Sequence, residues 1–484
     1  MARLGRADLV KYMHNNGVKP STRTMDVAST LEIVQFLHQV SQVGCTTEAM
    51  DNAAATGRLS ILEYLHHNRS EGCTIAAMDR AAAGGHLQVV EFLHRNRTEG
   101  CTTKAFDMAA SNGHMEVVQF LHHNRTEGCT HRAMDWAACG DLPMVKFLHS
   151  NRTEGCTTDA MDDAASKGCL DTLKFLHDNR SEGCTEVAMD WAAREGHLEV
   201  IDFLHRNRTE GCTVEAMDWA AQEGHLELVK YLHLNRSEGC TTDAIDSAAR
   251  NGHLEVVRYL HLTRTEGCTK VAMDTAARQG YTAIVEFLHH NRTEGCTIHA
   301  MTFAIHNGHM NVVRFLHERR TEGCSNVAME LACQSGHLDI VQFLHNNRIA
   351  GPYGSITSAA ASGHLDVVQF LHHNRTEGCT KSAMDIAAAN GYIRVVQFLH
   401  THRTEGCTVQ AVDKAAENGY MDVVQFLCDN RHEGFSMDKL SVISENGHSN
   451  IVEYLSKWNA STTSTTSTET SMTIEQILDQ LKAI

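Results

Sequence analysis

Proline, long apolar runs and basic residues are all scarce in this sequence of 484 residues. Only 3 prolines occur and the composition does not change before residue 459, so we expect one elongated domain rather than several. No apolar run reaches the roughly 18 residues that a membrane-spanning helix needs. The first residues, MARLGRADLVKYMHNN, lack the uninterrupted apolar core of a signal peptide. These absences predict a soluble, cytoplasmic protein.

Basic residues are outnumbered by acidic ones, 42 to 59, which gives a formal net charge of −17. A charge of this sign repels phosphate backbones and anionic membrane surfaces. We therefore expect no nucleic acid and no membrane among the partners of this chain, and we expect protein partners instead.

The sequence is rich in one repeated unit, whose clearest copy is Cys212 to Gly239, CTVEAMDWAAQEGHLELVKYLHLNRSEG. Thr213 stands at an N-cap position before a narrow stripe of small apolar residues. Gly224 suits the end of that first helix, and a second helix with a wider apolar face follows it. Neither helix, at about three turns, would be stable alone in water. The repeats must therefore stack on one another to bury their apolar faces.

The repeat returns after 28 residues, twice after 27, and it accounts for residues 24–458. We predict an all-α solenoid of about sixteen stacked helix-turn-helix repeats. Residues 1–23 form an N-terminal half repeat, 459–471 a Ser/Thr-rich linker and 472–484 a C-terminal amphipathic helix. That helix either caps the apolar end of the array or docks another protein. Two irregular copies, at 139–143 and 351–354, should perturb the stacking.

The unit resembles the ankyrin repeat in two places. Residues 216–221 read A-M-D-W-A-A and residues 224–232 read G-H-L-E-L-V-K-Y-L. The family pattern is T-P-L-H-x-A-A followed by G-H-L-E-V-V-x-L-L, and its usual period is about 33 residues. The chain is similar to short ankyrin-like arrays with NRTEGCT loops that occur in some unicellular eukaryotes. The resemblance implies stacked helix pairs with little or no β-hairpin, a concave face lined by the first helices, and protein partners.

Cysteine and histidine recur once per repeat. Equivalent atoms of stacked repeats lie about 10 Å apart, too far for a disulfide or a shared zinc ion. We expect all 17 cysteines to stay reduced and passive, with no metal and no cofactor bound. One histidine follows a constant leucine, as in His205, and another follows the turn glycine, as in His197. We expect them to bond helix ends to neighbouring loops, because thirteen or more copies of one residue set argue against a catalytic site.

The loops carry two further signals. Asn-Arg-Ser/Thr spells an N-glycosylation acceptor nine times, which we interpret as turn chemistry. Arg208 and Glu210 represent a recurrent pair that, with the recurrent aspartate of the first helix at Asp190, could form a charge ladder between repeats. The alternative is a solvated edge, since exposed ion pairs contribute only about 0 to 1 kcal/mol.

The position seven residues after the loop cysteine, here called the variable position, differs in almost every repeat, so we expect it to face outward. Tryptophan occupies it at three places, and the acidic residues around two of them favour a partner with apolar anchors and a basic rim. The alternative is that each tryptophan packs flat between repeats. The candidate partner-binding residues are Trp136, Trp191, Trp219, Phe303, Glu186, Glu195, Glu215 and Glu223.

The sequence favours a monomeric scaffold or adaptor that binds proteins and is not an enzyme. A catalytic domain would need about 100 non-repeating residues, and the chain has no such segment. Two alternatives stay open: a metal- or redox-linked protein that uses the cysteines and histidines, and a targeting subunit of an enzyme complex.

Overall fold

The computed structural model describes residues 2–349, 355–375 and 378–463. Within these ranges every regular element is a helix and no strand occurs, which confirms the predicted all-α class. The loops in the described ranges accordingly hold no β-hairpin. The predicted helix at 472–484, the irregular loop at 351–354 and most of the predicted linker lie outside the described residues.

The described residues fall into two compact units, 2–244 and 245–463. The repeat pattern continues across the boundary at residues 244 and 245, so the composition of the sequence does not indicate where the boundary lies. The helices of the first unit are α1 (Ala7–Asn15), α2 (Thr22–Asp26), α3 (Leu31–Gln39), α4 (Glu48–Ala55), α5 (Leu59–Asn68), α6 (Ile75–Ala83), α7 (Leu87–Asn96), α8 (Thr103–Ser111), α9 (Met115–Asn124), α10 (Arg132–Ala137), α11 (Leu142–Asn151), α12 (Asp159–Ser166), α13 (Leu170–Asn179), α14 (Glu186–Arg194), α15 (Leu198–Asn207), α16 (Glu215–Gln222) and α17 (Leu226–Asn235), with a 3-10 turn at Ala2–Leu4.

The boundary falls within α18 (Asp243–Asn251). The further helices are α19 (Leu254–Thr263), α20 (Lys270–Gln279), α21 (Thr282–Asn291), α22 (Ile298–His306), α23 (Met310–Arg319), α24 (Ala328–Ser335), α25 (Leu338–Asn346), α26 (Ser355–Ala361), α27 (Leu365–Asn374), α28 (Ser382–Ala389), α29 (Ile393–His402), α30 (Val409–Glu417), α31 (Met421–Asn430), α32 (Leu440–Glu445) and α33 (Ser449–Thr463), with a 3-10 turn at Met437–Lys439.

From α2 onward the helices alternate as first and second helices of a repeat, which makes sixteen pairs in the described part of the chain. Neighbouring first helices pack on each other, for example α12 on α14 and α14 on α16, and second helices do the same, for example α13 on α15. Each unit is therefore a repeat solenoid, as predicted. The last helix, α33, continues to Thr463 and so includes the first five residues of the predicted linker.

The core of each repeat lies between its two helices. In α14 the small residues Ala188, Ala192 and Ala193 are completely buried, which lets adjacent first helices approach closely. In α15 the larger residues Ile201 and Leu204 are also buried, and Leu204 is a copy of the constant leucine. The constant leucine is therefore a core residue.

A buried aspartate joins each first helix to the start of the next repeat. Asp190 is 5% exposed, and its carboxylate accepts a hydrogen bond from the backbone N–H of Thr213 at 2.9 Å and another from its hydroxyl at 2.8 Å. The same hydroxyl accepts from the backbone N–H of Glu215, the first residue of α16, at 3.1 Å, so it also pairs a donor at the start of that helix. We call this arrangement the aspartate–threonine clamp.

The clamp recurs through both units, with the backbone N–H distance between 2.7 and 2.9 Å in every copy. Its members are Asp26–Thr46, Asp51–Thr74, Asp79–Thr102, Asp107–Thr130, Asp135–Thr157, Asp162–Thr185, Asp190–Thr213, Asp218–Thr241, Asp246–Thr269, Asp274–Thr297, Asp385–Thr408 and Asp413–Ser436.

The turn between the two helices is held from the following repeat. Gly85 has φ +73°, and a Cβ added there would lie 2.6 Å from Nδ1 of His114. The Nε2 atom of His114 lies 3.1 Å from the carbonyl oxygen of Ala83, at the end of α6. The expected role of the turn histidines, bonding the end of a neighbouring helix, is confirmed for this and several equivalent contacts.

The copy that lacks one turn residue is locally different. Its first helix, α10, has only 6 residues, and Gly140 has φ +152°. Asp141 takes the place of the turn histidine and caps α11, because its carboxylate accepts from the backbone N–H of Met144 at 2.9 Å. The irregular turn is therefore present, and its effect on cooperativity stays a prediction.

We expect the clamp to contribute strongly to stability. Asp190→Ala removes both acceptors and leaves the backbone N–H of Thr213 unpaired, which should cost about 1–3 kcal/mol. Asp190→Thr should cost less, because Thr302 occupies the aspartate position in its own repeat and still accepts from the backbone N–H of Ser325 at 2.9 Å. Thermal unfolding of the two variants beside the parent protein tests this order. Asp190→Ala melting at the parent temperature would contradict it.

Candidate protein-binding surface

The variable positions lie on the first helices, next to the buried clamp residues, and their side chains reach the surface. Trp191 is 38% exposed and Trp136 is 36% exposed, while Trp219 and Phe303 are half-buried. The outward direction predicted for this position agrees with these values. The half-buried state of Trp219 agrees in part with the alternative, packing between repeats.

Helices α14 and α16 bring most of the candidate residues together. The two helices pack side by side, and Trp191 and Trp219 occupy equivalent places on them. The guanidinium of Arg194, on α14, lies 5.8 Å from the ring centre of Trp219 on α16, so it covers part of that ring. We call Trp191, Trp219 and the four exposed glutamates around them the tryptophan surface. Those glutamates are Glu186, Glu195, Glu215 and Glu223.

The other two candidate aromatic residues are placed differently. Trp136 lies on α10, and α12 with Asp163 at its variable position stands between it and α14. The guanidinium of Arg132 lies 5.8 Å from the ring centre of Trp136. Phe303 belongs to the second unit, where its ring contacts Arg278 at 5.2 Å and stacks on His299 with ring centres 5.4 Å apart.

The loop charges pair within each loop and also join neighbouring loops. Arg208 forms an ion pair with Glu210, and both side chains are about three-quarters buried. The hydrogen bond from Arg208 is the main reason that the pKa of Glu210 falls to about 2. The same carboxylate accepts from the backbone N–H of Cys184 in the preceding loop at 3.4 Å. This loop ion pair is thus joined to the preceding loop through a hydrogen bond to the backbone. The possible charge ladder that includes the first-helix aspartates is not formed, because these aspartates bind threonine.

The loop cysteines are held as neutral thiols. All seventeen cysteines are free, and burial, aided by the charge of Glu238, raises the pKa of Cys212 to about 12. A thiol must be deprotonated to act as a nucleophile or to bind a metal ion. In the described ranges, no group of three or more histidine, cysteine, aspartate or glutamate side chains is placed to hold a metal ion.

Among the histidines that follow the constant leucine, His205 makes the expected contact with a neighbouring loop, because its Nδ1 lies 3.4 Å from Nη1 of Arg236. These histidines also make ring contacts that were not predicted. The ring of His66 meets Phe92 of the next repeat edge to face, with ring centres 5.4 Å apart. Its Nδ1 atom is buried without a hydrogen bond, and burial, followed by the charges of His67 and Arg97, lowers the pKa of His66. The recurrent Phe-Leu-His triplet was the available signal, since phenylalanine and histidine repeat at one spacing.

The loop asparagines have a structural role. The side-chain amide of Asn207 donates to the backbone oxygen of Phe203 at 2.8 Å, which satisfies an acceptor at the end of α15. Asn96, Asn124, Asn151, Asn179 and Asn235 make the same bond. This bond supports our interpretation of the Asn-Arg-Ser/Thr loops as turn chemistry.

Family models of ankyrin repeats match residues 78–122, 161–205, 217–261 and 356–400, and a second ankyrin-repeat model matches 272–351, together more than half of the chain. No curated protein matches. None of the described helices has both the length and the apolar character to cross a membrane.

Solved structures resemble the chain only weakly. The pentatricopeptide repeat protein PPR10 from maize is 11% identical, with a TM-score of 0.32, covering 94% of this chain and 81% of that chain. PPR10 in complex with an 18-nucleotide psaJ RNA element is 10% identical, with a TM-score of 0.35, covering 94% and 83%. Likenesses at this level have no bearing on what the chain binds.

We expect acid to weaken the fold through four half-buried histidines. A lowered pKa means that the unfolded chain binds more protons than the folded one, so stability is complete above the ordinary histidine pKa of about 6.5 and falls below it. Four histidines carry this shift: His66, His122, His289 and His372.

The check is the melting temperature measured between about pH 7.5 and pH 5.5. The melting temperature of His66→Leu should fall less on acidification than that of the parent protein, because one half-buried titrating ring is gone. His432→Gln is the control, since His432 is exposed. A His66→Leu profile parallel to that of the parent would contradict the assignment.

Proposed function

We propose that this chain, which belongs to the ankyrin repeat family, is a protein-binding scaffold without catalytic activity of its own. The proposed site is the tryptophan surface on α14 and α16, with Trp136 on α10 as a flanking contact. The observation that carries the proposal is the exposure of Trp191 at a position that the fold leaves unconstrained. Large aromatic side chains that are exposed in this way are typical anchors of protein interfaces.

The charges around the tryptophans indicate the charge that a partner surface should carry. Glu186, Glu195, Glu215 and Glu223 are all exposed, and the one cation among them, Arg194, is held over Trp219. A partner with an apolar side chain for the tryptophans and a basic rim for the glutamates fits this arrangement. We further propose that the scaffold is monomeric and cytoplasmic; free cysteines are typical of that reducing compartment.

The metal- or redox-linked alternative receives no support from the thiols. The pKa of Cys184 is raised to about 12 and that of Cys268 to about 11, in each case mainly by burial. Neither thiol is ionised near neutral pH, so neither is suited to metal binding or rapid oxidation.

We expect the double substitution Trp191→Ser/Trp219→Ser to weaken partner binding strongly and to leave the fold intact. Affinity capture followed by mass spectrometry identifies the partner, and titration of that purified partner measures binding. Loss of two interface anchors should weaken it by roughly thirtyfold or more, about 2 kcal/mol.

Trp458→Ser is the matched control for this experiment. The indole nitrogen of Trp458 donates to the backbone oxygen of Cys428 at 3.1 Å, and its ring packs near Phe435. This tryptophan should affect stability and not binding. A large fall in melting temperature with binding preserved in the double variant would show that Trp191 and Trp219 are structural, and would remove the proposed site.

A further inference from the structure

A second surface, of opposite charge, lies on α20 and α22 in the second unit. Lys270 and Arg278 project from α20, and His299 and Phe303 project from α22; all are exposed except the half-buried Phe303. We propose that this face, here called the arginine–phenylalanine surface, binds an acidic segment of a partner protein. The proposal does not depend on the tryptophan surface and stands even where that surface binds nothing.

The two helices hold these side chains in fixed register. Helix α20 packs on α22, and the clamp between Asp274 and Thr297 joins them at 2.8 Å. The side-chain amide of Asn307 also donates to the backbone oxygen of Arg278 at 2.7 Å. On α22, His299 and Phe303 are four residues apart and therefore share one face of the helix.

Two side chains contact the ring of Phe303, the cationic Arg278 and the aromatic His299. The guanidinium of Arg278 lies 5.2 Å from its ring centre, and the ring of His299 stacks on it with an interplanar angle of 17°. A guanidinium that rests on an aromatic ring keeps its N–H groups directed outward in its own plane. Arg278 therefore loses little conformational freedom when it pairs with a carboxylate.

The cations of this surface have no carboxylate of their own. Helices α20 and α22 contain one acidic residue, Asp274, and its oxygens are occupied by the backbone N–H and the hydroxyl of Thr297. Within the described ranges, no ion pair joins Lys270 or Arg278 to a carboxylate, whereas a loop arginine such as Arg292 is paired with Glu294. Lys270 and Arg278 are both exposed, so this face can bind an external anion.

The arginine–phenylalanine surface differs from the tryptophan surface mainly in the charge of four equivalent positions. Arg194 over Trp219 is the same arrangement as Arg278 over Phe303, three repeats earlier in the chain. Four glutamates surround the Arg194–Trp219 pair. The four equivalent positions around the Arg278–Phe303 pair carry no glutamate. The replacements are Glu186 by Lys270, Glu195 by Gln279, Glu215 by His299 and Glu223 by Asn307.

These four differences change the charge of the surface, whereas the contacts that hold the helices together are the same at both sites. Both arginines keep their aromatic contact, and both repeats keep their clamp, Asp190–Thr213 and Asp274–Thr297. An acidic segment is repelled by the four glutamates of the tryptophan surface, whereas Lys270 and Arg278 attract it. The partner segment should carry several Asp or Glu residues and one apolar side chain that contacts Phe303.

The test uses the full chain and an array of synthetic peptides of about twelve residues, each with Asp and Glu around one Leu or Phe, beside matched peptides with Lys in place of the acids. We expect the chain to retain acidic peptides and not the lysine peptides. For a retained peptide, fluorescence anisotropy should show that Lys270→Glu/Arg278→Glu weakens binding by about tenfold or more, with the parent affinity falling as salt is raised.

Arg194→Glu is the matched control, because it reverses an arginine of the same register and the same aromatic contact. It should leave the affinity for acidic peptides unchanged. Lys270→Gln/Arg278→Gln, a milder pair, replaces the charge-reversed variant where that variant melts below the parent, and it too should weaken binding.

Three results would overturn the proposal. The first is retention of no acidic peptide, and the second is an affinity that Lys270→Glu/Arg278→Glu does not change. The third is concentration-dependent self-association in sedimentation that Arg278→Glu abolishes, because the occupant would then be a second copy of this chain.

Discussion

The hydrogen bonds between a buried aspartate and the next threonine are the interaction on which the rest of this structure depends. A buried carboxylate is costly unless its oxygens are paired. Here the backbone N–H and the hydroxyl that begin the following repeat supply both partners, as Thr213 does for Asp190. Each repeat thus completes the start of the next first helix, and the register between adjacent repeats is fixed wherever the pair occurs.

Because the clamps fix the register between repeats, the residues that hold the repeats together are distinct from the residues that can vary. In the repeat that contains α14, Asp190 is buried and its neighbour Trp191 is among the more exposed aromatic residues. Adjacent positions on one helix therefore have opposite constraints. The same scaffold can present glutamates around an arginine–tryptophan pair on α14 and α16, and basic or neutral residues around an arginine–phenylalanine pair on α20 and α22.

The repeating helices could be predicted from the sequence because apolar periodicity and turn glycines recur in every copy. The outward direction of the variable position could also be predicted from the sequence, because no core position accepts tryptophan, aspartate and lysine alike. The partners of polar side chains could not be obtained in this way. A charge ladder that joins Asp190 to the loop charges was one of two alternatives, but the loop arginines form ion pairs with glutamates of their own loop, as Arg208 does with Glu210.

Contacts between repeats were the hardest feature to predict. His66 meets Phe92 and Arg278 covers Phe303 across repeat boundaries, and neither spacing has a simple helical period. The division into units at residue 244 likewise leaves no trace in a sequence whose repeat continues through it. Three-dimensional neighbours in a repeat array are separated by nearly a full repeat, so the pattern within one repeat does not reveal them, and only the recurrence of a motif from repeat to repeat indicates such contacts.

The most direct test of this division of roles is saturation mutagenesis of residues 184–213, read out by resistance to proteolysis. We expect almost every substitution at Asp190 and at the buried alanines Ala192 and Ala193 to reduce resistance, and most substitutions at Trp191 to leave it unchanged. Equal sensitivity at Asp190 and Trp191 would contradict the claim that the clamp holds the stack while the variable position remains free for binding.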